Sequence, residues 1–262
     1  MWDFHLHSSF SSDSKESIEN MIVRAQEMGF KEICFTEHHD TDFKYEEGKF
    51  QVDIDAYRKE LFEVRAKYPA IKVRFGIESG YMTTTIEKTD RIMRGYDFDF
   101  IIGSVHGIKE GDLYYISCEP TDRERVYREY LEEILEIVQV AEHFNVLGHI
   151  NYPSKMEAFK DKPMEYSDHP EACDEIFKTL IQNGKGMEFN TSSMRHSLET
   201  DSTMSFLKRF KELGGEILTI GTDSHRVESL NFMYKEAMDA IKAAGFKYIC
   251  TFERMEPIFH KI

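Results

Sequence analysis

The chain is short of positive charge: 33 Lys and Arg stand against 48 Asp and Glu, a formal balance of −15 with His neutral. Such a field repels nucleic acid and anionic membrane, although a local basic pocket can override it. Long apolar runs are missing too, since no stretch approaches the ~18 consecutive apolar residues of a membrane helix. Met1-Trp2-Asp3-Phe4-His5 lacks the basic start and apolar core of a signal peptide. The four cysteines, Cys34, Cys118, Cys173 and Cys250, lie far apart and form no C-x-x-C pair. That argues against a structural zinc cluster and points to the cytoplasm. Cys34 and Cys250 sit inside apolar runs, where a small buried thiol is expected. Tryptophan is scarce, with Trp2 alone, so a base-stacking surface has little to build on.

What remains is ordinary globular material, 41% hydrophobic and 31% charged over 262 residues. That length admits two ordinary domains or one α/β barrel of about 250 residues. Short β-like runs recur at Trp2–His7, Glu32–Thr36, Lys72–Ile77, Phe98–Val105, Val146–Ile150, Gly186–Phe189, Glu216–Gly221 and Lys247–Phe252. Helix-like stretches separate most of them, the spacing of βα units rather than hairpins. Ile33-Cys34-Phe35 and Ile217-Leu218-Thr219-Ile220 are apolar almost throughout, as suits parallel strands covered on both faces. Between them, Ile18, Met21, Ile22 and Ala25 repeat with helical period, and Gly29 is placed to stop that helix. Thr121-Asp122-Arg123-Glu124 has capping-box form and opens a long helix with Val126, Tyr130, Ile134, Ile137 and Val138 inward. No composition break divides the chain, so residues 1–262 read as a single βα-barrel domain of seven or eight units.

The polar residues best suited to metal binding fall at the strand ends. His5 and His7 close the first run, and their i, i+2 spacing sends both to one face. Glu37-His38-His39-Asp40 follows the second run, Glu78 the third, His106 the fourth and His149 the fifth. Asp223-Ser224-His225 follows the seventh, with i, i+2 spacing again if the chain stays extended. Barrel active sites gather at the C-terminal ends of the strands. Each piece alone has a bland reading, His106 or His149 as a hydrogen-bonded barrel residue and Glu78 as an ion-pair partner. Five strand ends so equipped are costly to bury unless paired or metal-bound. Imidazole with carboxylate and no thiolate suits Zn, Mn or Fe at a catalytic centre.

The pattern His5-Leu6-His7, Asp13, Thr36-Glu37-His38, Glu78, His106, His149 and Asp223-Ser224-His225 resembles the nine metal-binding positions of the PHP (polymerase and histidinol phosphatase) superfamily, in order. The resemblance implies a distorted seven-stranded, TIM-like (β/α)7 barrel holding two or three divalent ions. It implies a first metal on His5, His7, Glu78 and Asp223, with Glu78 bridging to a second on His106 and His149. Asp13, His38 and His225 would hold a third. On its own, Asp13 also reads as the N-cap of a helix starting near Ser14. Glu37 stands where the family usually has Asp. His39, His143, His169, His196 and His260 have no ligand-like placement and are left structural or solvent-facing.

Clustered divalent ions suit phosphate-ester hydrolysis, because they make hydroxide from a bridging water near neutral pH and neutralise charge in the in-line transition state. They also make an anionic substrate compatible with an acidic protein. Asp223 or His225 would supply the proton for the leaving alkoxide. Arg195 resembles the phosphate-contacting arginine of histidinol phosphatases, and Lys155 stands where a second family arginine is expected, without the bidentate fork. Glu188-Phe189-Asn190-Thr191 and the ending Gly245 to Pro257 also resemble the histidinol-phosphatase branch. That branch implies hydrolysis of L-histidinol phosphate in histidine biosynthesis, on a small phosphorylated substrate and with neither nucleic acid nor membrane as partner. A phosphoesterase of nucleotides or short oligonucleotides would share every ligand. A non-catalytic metal-binding module is disfavoured, because all nine positions are filled.

Overall fold

The computed structural model describes residues 1–41, 43–194 and 197–262, and the side chains of all of these except 197–199. In chain order the strands are β1 (Trp2–Leu6), β2 (Glu32–Asp40), β3 (Lys72–Gly80), β4 (Phe100–Ser104), β5 (Gly107–Ile108), β6 (Gly111–Asp112), β7 (Val146–Leu147), β8 (Gly186–Asn190), β9 (Leu218–Gly221), β10 (Tyr248–Glu253) and β11 (Glu256–Lys261). Seven of them form one parallel sheet in the order β1-β2-β3-β4-β7-β8-β9. Just beyond β9, Asp223 N donates to His5 O at 2.8 Å and His7 N to Ser224 O at 3.0 Å. These bonds join the last parallel strand to the first at their C-terminal ends, so the sheet is a nearly closed, distorted barrel. The helices α1 (Ile18–Glu27), α2 (Ile54–Arg65), α3 (Ile86–Met93), α4 (Arg123–Val140), α5 (Pro170–Gln182), α6 (Ser197–Glu212) and α7 (Tyr234–Ala243) fill the connections.

The helical stripes pack as their spacing predicts. Ile18, Met21, Ile22 and Ala25 are buried on α1, and Gly29 ends it with φ of 82°. Val126, Tyr130, Ile134, Ile137 and Val138 are buried on α4. The cap of α4 differs from the expected box at Thr121. Pro120–Asp122 forms a 3-10 turn whose reciprocal capping pair is Glu119 and Asp122, and α4 starts after it. Proline at the first helical position favours the earlier start.

The run at Lys247–Phe252 is not an eighth parallel strand. It becomes β10, which folds back antiparallel onto β11. Arg254 and Met255 carry φ of 52° and 66°, the left-handed geometry of a two-residue hairpin turn. This hairpin closes the N-terminal end of the barrel: Cys250 and Phe252 pack with Phe4, Cys34, Phe100, Ile102 and Val146. Phe252 lies 4.9 Å from Phe100, and Asn145 Nδ2 donates to Met255 O at 3.0 Å. No helix among the described residues is long and apolar enough to cross a membrane.

Candidate metal centre

With the N-terminal end plugged, the C-terminal ends of the strands are left to build a site. β2 and β3 run on past their apolar segments to Asp40 and Gly80, and their register sets His38 directly beside Glu78. Glu78 is the hub. Its Oε1 accepts from Ser104 Oγ at 2.7 Å and lies 3.2 Å from His106 Nε2 and 2.9 Å from His149 Nε2. Its Oε2 lies 3.1 Å from His5 Nε2, 3.6 Å from His7 Nε2 and 2.9 Å from His38 Nδ1. Asp223 follows β9 at a φ of 56°, so the chain turns here instead of staying extended. The turn still brings Oδ1 within 3.6 Å of His5 Nε2 and 3.4 Å of His7 Nε2.

Asp13 lies opposite. Its Oδ2 is 3.2 Å from His225 Nε2 and 3.6 Å from His38 Nε2. The cap of α1 is Ser17, whose side chain accepts from Asn20 N, so the N-cap reading of Asp13 is set aside. All nine residues of the pattern therefore meet at one mouth. Three sets of donor atoms lie within 4.8 Å of one another: His5, His7 and Asp223; His38, Glu78 and His106; His7, His38 and His225.

The donor set fits metal ions on a second count. His5 Nε2, His7 Nε2, His38 Nδ1 and Glu78 Oε2 are buried and, close as they lie to one another, make no well-aligned hydrogen bond. Four such atoms facing one point would be expensive unless a cation satisfied them. Imidazoles and carboxylates here hold one another's charges. Burial pulls the His5 imidazole down, but Glu188, Glu78 and Asp223 outweigh it and hold it above its ordinary range. Burial, with His225 and His38 close by, keeps His7 well below that range, in the neutral form that can ligate. Burial also works against the Glu78 carboxylate, yet His5 and His38 hold it well below the usual range. Asp223, under the same penalty, is held low by Lys155 and His5.

Behind the imidazoles stands a layer of acceptors that the ligand pattern does not include. Glu188 on β8 meets His5 Nδ1 at 2.5 Å and accepts from His149 N at 3.1 Å. Asp40 meets His106 Nδ1 at 3.1 Å, and the backbone oxygen of Asp223 meets His225 Nδ1 at 3.0 Å. Acceptors on Nδ1 fix the tautomer and aim Nε2 at the centre. Two glycines make room for them. A Cβ at Gly221 would lie 2.4 Å from His5 Cβ and 2.5 Å from Glu188 Oε1, and one at Gly80 would fall on the Asp40 carboxylate. A signal for these residues was present in the sequence. Glu188 interrupts an otherwise uncharged strand, and a carboxylate there needs a buried partner.

Lys155 Nζ lies 3.0 Å from Asp223 Oδ2, over the ring of Tyr152. Asn190 Nδ2 donates to the same oxygen at 3.4 Å, and Ser192 Oγ, which donates to Asn190 Oδ1 at 2.6 Å, lies 3.3 Å from it. Arg195 and His196 lie outside the described residues. Two of the other histidines stand apart: His143 pairs with Arg94 at 2.6 Å, and the His260 ring lies tilted against Trp2 at 4.7 Å. The mouth is a cavity of about 590 Å³, lined by Asp13, His106, His149, Tyr152, Lys155 and Asp223 among others.

A parallel βα barrel whose C-terminal rim gathers six imidazoles around a buried carboxylate belongs to the class of barrel proteins built around a polynuclear metal centre. The chain belongs to the PHP domain family, which matches residues 3–192. It is 32% identical to the histidinol-phosphatase of Lactococcus lactis subsp. lactis (strain IL1403) over 97% of this chain and 95% of that one. It is 31% identical to the probable histidinol-phosphatase of Clostridium acetobutylicum over 97% and 98%. The crystal structure of histidinol phosphate phosphatase from Lactococcus lactis, complexed with zinc, L-histidinol and phosphate, superposes with a TM-score of 0.88 at 31% identity, covering 98% of each chain.

Proposed function

We propose that this chain is a metal-dependent phosphomonoesterase that hydrolyses L-histidinol phosphate to L-histidinol and phosphate. The observation that carries the chemistry is Glu78: both of its oxygens are ringed by imidazole nitrogens from β1, β2 and the ends of β4 and β7. His5, His7, Glu78 and Asp223 would hold one ion, Glu78, His106 and His149 a second, and Asp13, His38 and His225 a third. Ions held there would lower the pKa of water, polarise the phosphoryl oxygens and neutralise transition-state charge. The full-length likeness to the Lactococcus enzyme, complexed with L-histidinol and phosphate, supports the substrate.

The protein's own groups divide the remaining work. Lys155 stands at the mouth as a point charge for a phosphate oxygen, and Arg195 is assigned the bidentate contact that its position after β8 supports. Asp223 and His225 are the candidates to protonate the departing alkoxide. Asp223 Oδ2 already accepts from Lys155 and Asn190, which favours its ionised form. Ligands running from His5 to His225 support reading residues 1–262 as one barrel domain. Four free cysteines suit the cytoplasm.

A phosphate-release screen on the metal-replete protein tests this reading, with histidinol phosphate set against nucleotides, sugar phosphates and a phosphodiester. Histidinol phosphate should be preferred strongly. A preference for nucleotides or diesters would overturn the substrate and leave the metal centre in place.

A further inference from the structure

His7 differs from the other imidazoles of the centre in what stands behind it. His5 and His106 each meet a carboxylate directly. His7 Nδ1 instead meets a hydroxyl, Ser11 Oγ, at 3.1 Å. That hydroxyl donates to Glu37 Oε2 at 2.6 Å and accepts from the backbone N–H of His38 at 3.1 Å. Glu37 Oε1 accepts from Ser8 Oγ at 2.6 Å and from Ser8 N at 3.0 Å, while Ser8 Oγ accepts from Phe10 N. Ser8, Ser11, Glu37 and His7 are all buried.

With Glu37 ionised, the direction of every bond in this chain is fixed. A hydroxyl has one hydrogen and two lone pairs. On Ser11, one lone pair takes the His38 N–H and the hydrogen goes to Glu37. Only a lone pair is left for His7, so the ring proton of His7 must sit on Nδ1. Its Nε2 then carries the free lone pair, and Nε2 is the buried atom that faces Glu78 and Asp223.

We propose that Glu37 is a positioning residue of the metal centre. It acts through the Ser11 hydroxyl to hold His7 in the tautomer whose Nε2 can ligate. The loop runs on from Ser8 and Ser11 to Asp13 through backbone bonds, Ser11 N to Ser8 O and Ser14 N to Ser11 O. Glu37 thus acts on His7 through one hydroxyl while touching no metal position itself. This inference rests on the metal-centre reading above.

Glu37→Gln tests it with almost no change of shape. The Ser8 side still requires an acceptor, so the amide oxygen stays there and the amide nitrogen turns to Ser11. Ser11 Oγ then accepts from that nitrogen and from His38 N–H, and its hydrogen swings to His7 Nδ1. The ring proton moves to Nε2, and the ligating lone pair is lost.

Two readouts follow, neither of which needs turnover. In metal-free protein with 15N-labelled histidine, long-range 1H–15N spectra should show His7 with a protonated Nδ1 in the wild type and a protonated Nε2 in Glu37→Gln. Competition against a chelator should show divalent-ion affinity weakened by about 10- to 100-fold in Glu37→Gln. Ser11→Ala, which removes the relay and leaves Glu37 charged, should also weaken it. A merely structural Glu37 would alter neither the tautomer nor the affinity of folded protein. Glu37→Gln with the wild-type ring pattern, or with undiminished affinity, overturns the inference. A wild-type protein that binds no divalent ion sinks the metal-centre reading instead, so the two failures are distinguishable.

Discussion

The two ends of the barrel are built from opposite materials. At the N-terminal end, Phe4, Cys34, Phe100, Ile102 and Val146 meet Cys250 and Phe252 of the hairpin, and the Asn145 amide beside the hairpin turn is fully paired. Asn145 uses both ends of its amide, accepting from Ile101 N and donating to Met255 O. At the C-terminal end, buried nitrogens make no well-aligned hydrogen bond, Asp223 sits in left-handed backbone geometry, and glycines stand where side chains would otherwise pack. Interiors normally satisfy their polar atoms, and exceptions mark sites of function. The difference places stability at one end and reactivity at the other, joined by the same seven strands. Each end can then be damaged separately.

The strongest test of that separation is Asp223→Asn. Asparagine tolerates positive φ as well as any residue except glycine, so the change removes the charge and leaves the backbone unstrained. Turnover should fall by several orders of magnitude while the metal-free protein keeps its unfolding midpoint; His7→Ala should behave similarly in turnover. Near-wild-type hydrolysis by metal-replete Asp223→Asn would remove Asp223 from the centre. Phe252→Ala attacks the opposite end. Emptying a fully buried aromatic site should cost about 3–5 kcal/mol in denaturant unfolding, while kcat of the folded fraction stays unchanged. A large loss of kcat there would show that the ends are not separable.

These two ends were also unequally legible in the sequence. The ligands could be read because each lies just past an apolar run, and strand periodicity fixes which side chains share a face. His5 and His7 illustrate this directly. The acceptors behind them were harder to find, because their partners come from strands far apart in sequence: Glu188 meets His5 across 183 residues. Register, which no single run reveals, makes that pairing. The hairpin was missed for a different reason. Two-residue turns of that kind are usually announced by Asn-Gly or Asp-Gly, and here Arg254 and Met255 adopt the positive φ without such a signal. The strands β2 and β3 outran their expected ends, because their last residues are polar yet still pair in the sheet.

Gly221→Ala probes the boundary between the two ends. Its new methyl would have to displace His5 or Glu188. Overpacking of this kind typically costs about 1–3 kcal/mol. The comparison predicts that metal affinity suffers along with stability, because the displaced pair orients a ligand. An equilibrium dialysis measurement showing unchanged affinity would mean that His5 does not depend on Glu188 for its aim.

The smallest effect concerns Lys185, half-buried at the lower rim just before β8. Lys185 Nζ donates to Glu142 O at 2.8 Å and to Phe144 O at 2.6 Å, over the Phe144 ring. Burial lowers its pKa from 10.5 to about 8, against the pull of Asp90 and Glu142. Above both values the amine is neutral, folded or unfolded, and contributes nothing to the pH dependence. As pH falls through 10.5 the unfolded chain takes up a proton that the folded one refuses, so stability declines until the folded amine is protonated near pH 8. Wild type should therefore gain stability relative to Lys185→Met as pH rises across that window. Denaturant midpoints of the two proteins at its two ends measure the difference. Activity at the far rim should not follow it. Parallel stability curves would mean that the backbone carbonyls and the ring already compensate the buried charge, and that the lower rim tolerates a cation as readily as the mouth does.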